Sequence, residues 1–255
     1  MTTRDPAVEL MQSLVASGRT SRRDILRAAF GLALAGLAPA GLAASASARV
    51  RFSAWPFTLG VASGYPSADG VALWTRLAPA PLQPDGGMQA EQVDLQWQVA
   101  EDEAFARVVA SGNVVAVPEK AHSVRVQVRG LAPGRWYHYR FMAGDALSPS
   151  GRTRTADAPG AAVQRLRLGL GSCQHFEQGY FAAHRHLLGE DLDLMAFVGD
   201  YIYESSWGSD LMRRHATGTV HTLDDYRVRH AQYRLDPDLQ RLHGAVPWVL
   251  TWDDH

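Results

Sequence analysis

The sequence predicts a mixed fold, in which a β-sandwich is followed by an α/β domain. Between residues 52 and 155, apolar and polar residues alternate in short runs separated by Gly- and Pro-containing turns, which is typical of antiparallel strands. From residue 165 onward, short apolar strands take turns with helical segments, a pattern that predicts a parallel or mixed sheet. The 255 residues, 46% of them hydrophobic, suffice for one large or two ordinary domains.

The composition excludes several classes of protein. The 25 Lys and Arg residues nearly cancel the 26 Asp and Glu residues, so no overall field favours nucleic acid or an anionic membrane. With 23 Gly, 13 Pro and one Cys, the chain is neither collagenous nor a disulfide-stapled mini-protein. We therefore expect partners to be recognised at local sites, and we expect no nucleic acid-specific binding.

Residues 1–48 predict an export signal. Arg22 and Arg23 precede an apolar run over residues 28–42, and a stretch of small residues with an Ala-x-Ala ending follows, up to Ala48. The paired arginines favour the twin-arginine pathway, which makes its translocation machinery a predicted partner and the periplasm or the exterior the predicted location. Because a membrane span needs about 20 apolar residues, this run is too short for a stable membrane anchor.

Residues 51–156 carry the strand patterns of the first domain. Apolar residues alternate with polar ones over 93–99 and again over 124–128, so both runs are predicted to be half-buried strands. The segment 131–137 resembles the tyrosine corner of fibronectin type III domains, which favours an immunoglobulin-like sandwich. Three aromatic residues would then share one face, either as core or as a sugar-binding platform: Tyr137, Tyr139 and Phe141.

Residues 163–255 carry the pattern of the second domain, after a linker near residues 155–160. Its predicted strands are 166–170, 194–198 and 246–252. Its predicted helices are 180–188, 223–233 behind the N-cap Thr222, and 237–243 behind the N-cap Asp236.

Each of these strands ends in a residue that can bind metal. Cys173, Asp200 and Asp254 follow the three strands, and the binding crevice of an open α/β sheet lies beyond the carboxyl ends of its strands. Carboxylate oxygen and thiolate are metal ligands, although a single strand-terminal Asp often only caps a turn. Tyr203, three residues after Asp200, can reach the same ion or can be a core aromatic. Cys173 has no disulfide partner, so it is either a buried apolar residue or a functional thiolate.

Three motifs together resemble those of the PhoD-like alkaline phosphatase family. They are Gly-Ser-Cys-Gln at 171–174, Phe-Val-Gly-Asp-Tyr-Ile-Tyr-Glu at 197–204 and Thr-Trp-Asp-Asp-His at 251–255. Their order, their spacing and the preceding β-rich segment match that family, and residues 57–77 resemble the start of its N-terminal domain. The resemblance implies a PhoD-type β-sandwich followed by the N-terminal part of a metallophosphatase catalytic domain.

This resemblance also implies chemistry and site residues. The implied activity is an exported, metal-dependent alkaline phosphatase or phosphodiesterase that uses metal-activated water or hydroxide on phosphomonoester or phosphodiester substrates. Cys173 and Tyr203 would supply thiolate and phenolate to Fe3+, and Asp200 would touch the iron and bridge to Ca2+. Asp254 would be a further metal ligand, where relatives have Asn. His255 would be catalytic, in contact with the phosphate or the leaving oxygen.

The other histidines and the loop after Asp200 are weaker candidates for site residues. His184 and His186 lie two apart on one predicted helix, so they cannot share a metal from it. His175 is close to Cys173, so it either lies in a surface loop, which is the expectation, or lines the pocket. The insertion after the Asp200 motif is expected to be a solvated loop, with a loop that overhangs the substrate as the alternative; it contains Arg213, Arg214, His215 and His221.

The chain ends at His255, where a PhoD-like catalytic domain would continue, so we expect this sequence to be an N-terminal, truncated portion. The alternative is a secreted β-sandwich binding module with a degenerate, non-catalytic α/β remainder. An open reading frame beyond His255 would favour the enzyme, whereas a stop codon there would favour the binding module.

Overall fold

Two β-sheets organise residues 50–255, which are the residues described by the computed structural model. The predicted export signal at 1–48 lies outside this range. The strands are β1 (Val61–Ser67), β2 (Gly70–Arg76), β3 (Val93–Ala100), β4 (Val108–Ala116), β5 (Ser123–Arg129), β6 (Trp136–Ala143), β7 (Ala146–Leu147), β8 (Gly151–Arg154), β9 (Leu168–Gly171), β10 (Leu194–Val198) and β11 (Trp248–Thr251). The helices are α1 (Ala182–Leu187), α2 (Leu223–Arg234) and α3 (Pro237–Ala245), with 3-10 turns at Pro118–Lys120, Phe176–Gln178 and Leu188–Glu190.

One sheet is mixed and combines strands from both halves of the chain. Its order is β5-β2-β1-β11-β10-β9, with β5, β2 and β1 antiparallel and β1, β11, β10 and β9 parallel. The halves meet where Gly64 pairs with Trp248. A Cβ on Gly64 would lie 2.3 Å from the Trp248 carbonyl oxygen, so this junction requires glycine. The alternation of apolar and polar residues along the chain does not predict this pairing of β1 with β11.

The second sheet is antiparallel, with order β4-β3-β6-β7 and β8 paired to β6. One hydrophobic core joins it to β1, β2 and β5 of the mixed sheet, with Leu73 and Val126 on one side and Leu95 and Phe141 on the other. The two alternating runs form β3 and β5, as predicted. The Tyr137 hydroxyl accepts a hydrogen bond from the Ala132 N–H at 3.0 Å, which is the contact expected of a tyrosine corner.

The parallel strands pack against helices through one face. Met195 and Phe197 of β10 and Trp248 of β11 are buried in a core with Leu239 and Leu242 of α3. Both predicted N-caps are confirmed. Thr222 forms a capping box with Asp225, and the Asp236 side chain accepts hydrogen bonds from the N–H groups of residues 238 and 239. These caps fix where α2 and α3 begin.

The described residues include no helix with the length and apolar character required to span a bilayer.

Candidate metal centre

The predicted ligands lie at the carboxyl ends of the parallel strands β9, β10 and β11. The segments after β9 and β10 are joined directly, because the Cys173 N–H donates to the Gly199 carbonyl (3.3 Å) and the Gln174 N–H donates to the Asp200 carbonyl (3.2 Å). The Cys173 side chain is exposed, so the interpretation of this residue as a buried apolar one is wrong. Cys173 is near enough to the Tyr203 hydroxyl to contribute to the raised pKa of that phenol.

The backbone at these strand ends is unusual. Cys173 has φ +56° and Asp200 has φ +53°, a left-handed conformation that non-glycine residues rarely adopt and that costs about 1–3 kcal/mol each. Gly199, between β10 and Asp200, has φ +110°, and a Cβ there would lie 2.4 Å from the Cβ of Asp253. Glycine therefore permits the close approach of the segment after β11 to the end of β10.

Asp200 is a buried carboxylate with one oxygen unpaired. Its Oδ2 accepts a hydrogen bond from the Tyr203 hydroxyl at 2.9 Å, whereas its Oδ1 is buried without a hydrogen-bond partner within residues 50–255. Burial of an unpaired carboxylate oxygen is costly unless a cation compensates it. Asp200 and Tyr203 are thus directed at one point, as their spacing in the sequence predicts.

Tyr203 is buried, and its pKa is raised above the ordinary value for a tyrosine. The causes are burial first, then the hydrogen bond to Asp200 and the charge of that carboxylate, then the interaction with Cys173. Without a cation, the phenol therefore keeps its proton. A metal that binds the phenolate must displace this proton.

Three carboxylates converge here. Asp200, Asp253 and Asp254 each offer an oxygen, and these oxygens lie within 4.8 Å of one another. Unlike Asp200, the two residues after β11 are exposed. Carboxylates this close repel each other, and a hard cation that prefers oxygen ligands would relieve the repulsion. The donor set of carboxylates, phenol and thiol fits a metal ion.

His255 lies beside this cluster. Its ring is 4.6 Å from the ring of Tyr203, and its Nδ1 is 2.8 Å from Oε2 of Glu204. Because a carboxylate only accepts hydrogen bonds, we assign the proton to Nδ1. The hydrogen bond to Glu204 raises the pKa of His255, and burial opposes it less strongly.

Comparisons with known proteins agree with this architecture. The family model described as "PhoD-like phosphatase, N-terminal domain" matches residues 42–157, and the model described as "PhoD-like phosphatase" matches residues 168–255. The chain belongs to the PhoD-like phosphatase family. The family resemblance of the three motifs is thereby confirmed.

Two relatives of this PhoD-like chain cover most of its length. Alkaline phosphatase D of Bacillus subtilis (strain 168) is 50% identical over 216 residues, which are 82% of this chain and 36% of that protein. A solved structure entitled "Structure of PhoD" is 49% identical, has a TM-score of 0.79 and covers 81% of this chain and 40% of its own. The chain thus spans little more than a third of the length of the curated relative that it matches.

Several residues around the PhoD-like site differ from the sequence expectation. His175 is buried rather than in a surface loop, with its ring 4.7 Å from Tyr203 and 4.2 Å from Trp207. The solvated-loop expectation is wrong for Arg213, which pairs with Asp236 at 2.7 Å, and for His215, whose side chain is 1% exposed. The reason is that the loop packs against α2 and the N-terminal end of α3, where His215 contacts Tyr233 and Arg213 contacts Asp236. The loop sequence has no periodic pattern from which this burial could be predicted. His221, by contrast, is exposed as expected.

Asp253 also belongs to the cluster, although the motif does not separate it from Asp254. Alternation assigns faces only within a strand, and both residues follow the end of β11. The sequence therefore indicates acids at this strand end without saying how many face the site.

Proposed function

We propose that this chain is part of an exported, metal-dependent hydrolase of phosphoric esters. The observation that carries the proposal is the buried Asp200 carboxylate, next to Asp253 and Asp254. Its Oδ2 is bonded to the Tyr203 hydroxyl, and its Oδ1 has no hydrogen-bond partner among the described residues 50–255. A buried anion beside two further carboxylates calls for a cation. The family membership supports phosphate ester hydrolysis as the use of that cation.

The resemblance to PhoD-like phosphatases implies Fe3+ together with Ca2+, and the donor atoms are compatible with these ions. Cys173 and Tyr203 would bind Fe3+ through thiolate and phenolate, and Asp200 would touch the iron and bridge to Ca2+. Asp254, with Asp253 beside it, would supply oxygen ligands to calcium. When bound, such ions withdraw charge from phosphate oxygens and activate water for in-line attack.

The side chains themselves prepare the site for these ions. The Tyr203 hydroxyl must lose its proton on metal binding, so binding is expected to strengthen as pH rises. His255 donates from Nδ1 to Glu204, which fixes the ring and leaves Nε2 free for a phosphate oxygen or the leaving oxygen. The neutral ring can already make this donation, and the raised pKa of His255 favours the imidazolium, in which Nε2 also carries a proton that it can donate to a phosphate or leaving oxygen.

The finer domain structure and the location are part of the same proposal. Residues 51–156 would be a β-sandwich of the PhoD type, and residues 163–255 would be the N-terminal part of a metallophosphatase domain. The core shared by the two sheets supports the first assignment, and the three parallel strands support the second. Residues 1–48 would direct export by the twin-arginine pathway to the periplasm or the exterior.

Tyrosinate bound to Fe3+ absorbs visible light, so the test is the visible spectrum of the full-length protein purified with metal. Replacement of Tyr203 by Phe should weaken that charge-transfer absorption and lower the iron content. The matched control is Tyr201→Phe, since the Tyr201 hydroxyl lies 2.8 Å from His243 Nε2 and serves another contact. Intact colour and activity in the Tyr203→Phe protein would refute the ligand assignment.

The substrate class needs a separate assay. Hydrolysis of a phosphomonoester and of phosphodiesters, such as phospholipid or wall teichoic acid fragments, should be measured side by side with the full-length protein. A strong preference for diesters would make the protein a phosphodiesterase. A full-length protein that binds no metal and hydrolyses neither class would support the binding-module alternative.

A further inference from the structure

A buried network from helix α2 holds the backbone of the segments that carry the candidate ligands. Arg229 and Tyr233 are four residues apart on α2, so they lie on one face of the helix, and both are fully buried. Neither side chain belongs to the carboxylate cluster. Their hydrogen bonds are instead directed at the main chain around the site.

Both polar groups of the Tyr203 main chain are bound by these two side chains. The Tyr203 carbonyl accepts a hydrogen bond from the Arg229 guanidinium, and the Tyr203 N–H donates to the Tyr233 hydroxyl at 3.2 Å. Arg229 also donates to the carbonyls of Thr217 (3.1 Å) and Gly218 (2.8 Å), which fastens the loop beyond Tyr203. The peptide groups on both sides of Tyr203 are thus fixed, and with them the direction of its phenol.

The Tyr233 hydroxyl also joins this segment to the one that carries Cys173. It accepts a second hydrogen bond from the Phe176 N–H at 3.1 Å, three residues after Cys173. A hydroxyl has two lone pairs and one proton, so after two acceptances its proton remains for a third partner. That partner is His215, whose Nε2 lies 3.3 Å away and whose Nδ1 is 3.5 Å from Oε2 of Glu177. Every hydrogen-bonding position of the hydroxyl is then filled.

We propose that Tyr233 and Arg229 are positioning residues for the metal centre, which keep Tyr203 and the Cys173 segment in register for a shared ion. The inference rests on the proposed function, because it assumes that these ligands bind iron. Neither residue would touch metal or substrate. Loss of the Tyr233 hydroxyl would free the N–H groups of Tyr203 and Phe176, and loss of the Arg229 guanidinium would free the Tyr203 carbonyl, while the ligands themselves remain.

The experiment compares Tyr233→Phe with Tyr226→Phe in the full-length, metal-loaded protein. Tyr226 is on the same helix, is exposed, and its hydroxyl makes no hydrogen bond within residues 50–255. The measurements are the rate of iron loss to a chelator and the wavelength of the iron absorption. We expect about 10-fold faster iron loss and a shifted absorption for Tyr233→Phe, since supporting residues of metal ligands typically contribute 10- to 100-fold to affinity. Tyr226→Phe should match the wild type.

Arg229→Lys provides a second variant in case Tyr233→Phe does not fold. Lysine keeps the charge but lacks the planar fork that reaches Tyr203, Thr217 and Gly218 together, so iron loss should again accelerate. Variants that melt at a lower temperature but keep the wild-type rate of iron loss and spectrum would overturn the positioning role. Wild-type protein without bound iron would instead refute the proposed function, on which this inference depends.

Discussion

The ends of the neighbouring strands β10 and β11 contrast in how their acids are held. After β10, Asp200 is buried and one of its oxygens is bonded to Tyr203, whose main chain is fastened by α2. After β11, Asp253 and Asp254 are exposed to solvent. Water screens exposed charges but cannot reach a buried one. Under the proposed function, the β10 side would be preorganised for a tightly held ion, whereas the β11 side would depend more on the ion for its geometry.

The contrast predicts unequal effects of removing one charge from each side. Asp200→Asn should lower the iron content and the hydrolysis rate of the full-length protein by about 100-fold or more, because residues that only support ligands already contribute 10- to 100-fold. Asp254→Asn should cost about 10-fold or less, since its amide oxygen can still bind calcium. Metal analysis and initial rates measure both effects. The control is Asp210→Asn, at an exposed acid of the loop after β10. Equal losses for Asp200→Asn and Asp254→Asn would contradict the contrast.

The contact between the two strand ends predicts a second effect. Gly199→Ala would bring a Cβ to 2.4 Å from the Asp253 Cβ at a position with φ +110°. We expect the free energy of unfolding in urea to fall by about 1–3 kcal/mol. Gly189→Ala, where a Cβ meets nothing within 4 Å, should change it by about 0.5 kcal/mol or less. If the two variants are equally stable, the two strand ends do not approach each other as described.

Acid should weaken the buried network on the β10 side. Burial and the nearby Arg229 charge lower the pKa of His215 to about 4, against about 6.5 for a free histidine. Between these values the unfolded chain binds more protons than the folded one, so the free energy of unfolding should decrease as the pH falls from 6.5 towards 4. His243, whose pKa burial also lowers, adds to the decrease.

Urea unfolding at pH 7 and pH 5 measures this dependence. The variant His215→Gln should lose less stability between the two pH values than the wild type does. The control variant His186→Gln, at an exposed position, should behave as the wild type. The same loss in both variants would show that His215 is not the group that titrates.

Much of the fold follows from local pattern. The alternation over β3 and β5, the position of β10 and the caps Thr222 and Asp236 each reflect interactions within a few residues, and all are found where the sequence predicts them. The expectation that β10 is buried on both faces is wrong, because Met195 and Phe197 are buried whereas Val198 is exposed. The pairing of β1 with β11 reflects an interaction between residues 184 positions apart, Gly64 and Trp248. A glycine in a strand permits such a close approach, but it does not indicate which other strand will pair with it.

The site follows the same division: the sequence predicts the ligands at the strand ends but not the residues that tertiary packing buries around them. Residues that end a parallel strand share an edge of the sheet, so the convergence of Asp200 with Asp254 follows from strand order alone. The burial of His175 and His215 depends on α2 lying over a loop that has no periodicity of its own. Tertiary packing of this kind decides burial without leaving a local pattern. The same holds for the contacts of Arg229 and Tyr233 with the Tyr203 main chain.

The proposal that the β10 side holds iron is tested most directly by X-ray diffraction from crystals of the full-length protein. Anomalous data should be collected on both sides of the iron absorption edge. We expect an iron peak within bonding distance of Cys173 Sγ, Tyr203 Oη and an Asp200 carboxylate oxygen, and a lighter ion on the side of Asp253 and Asp254. An iron peak elsewhere in the molecule, or no metal beside Asp200, would contradict it.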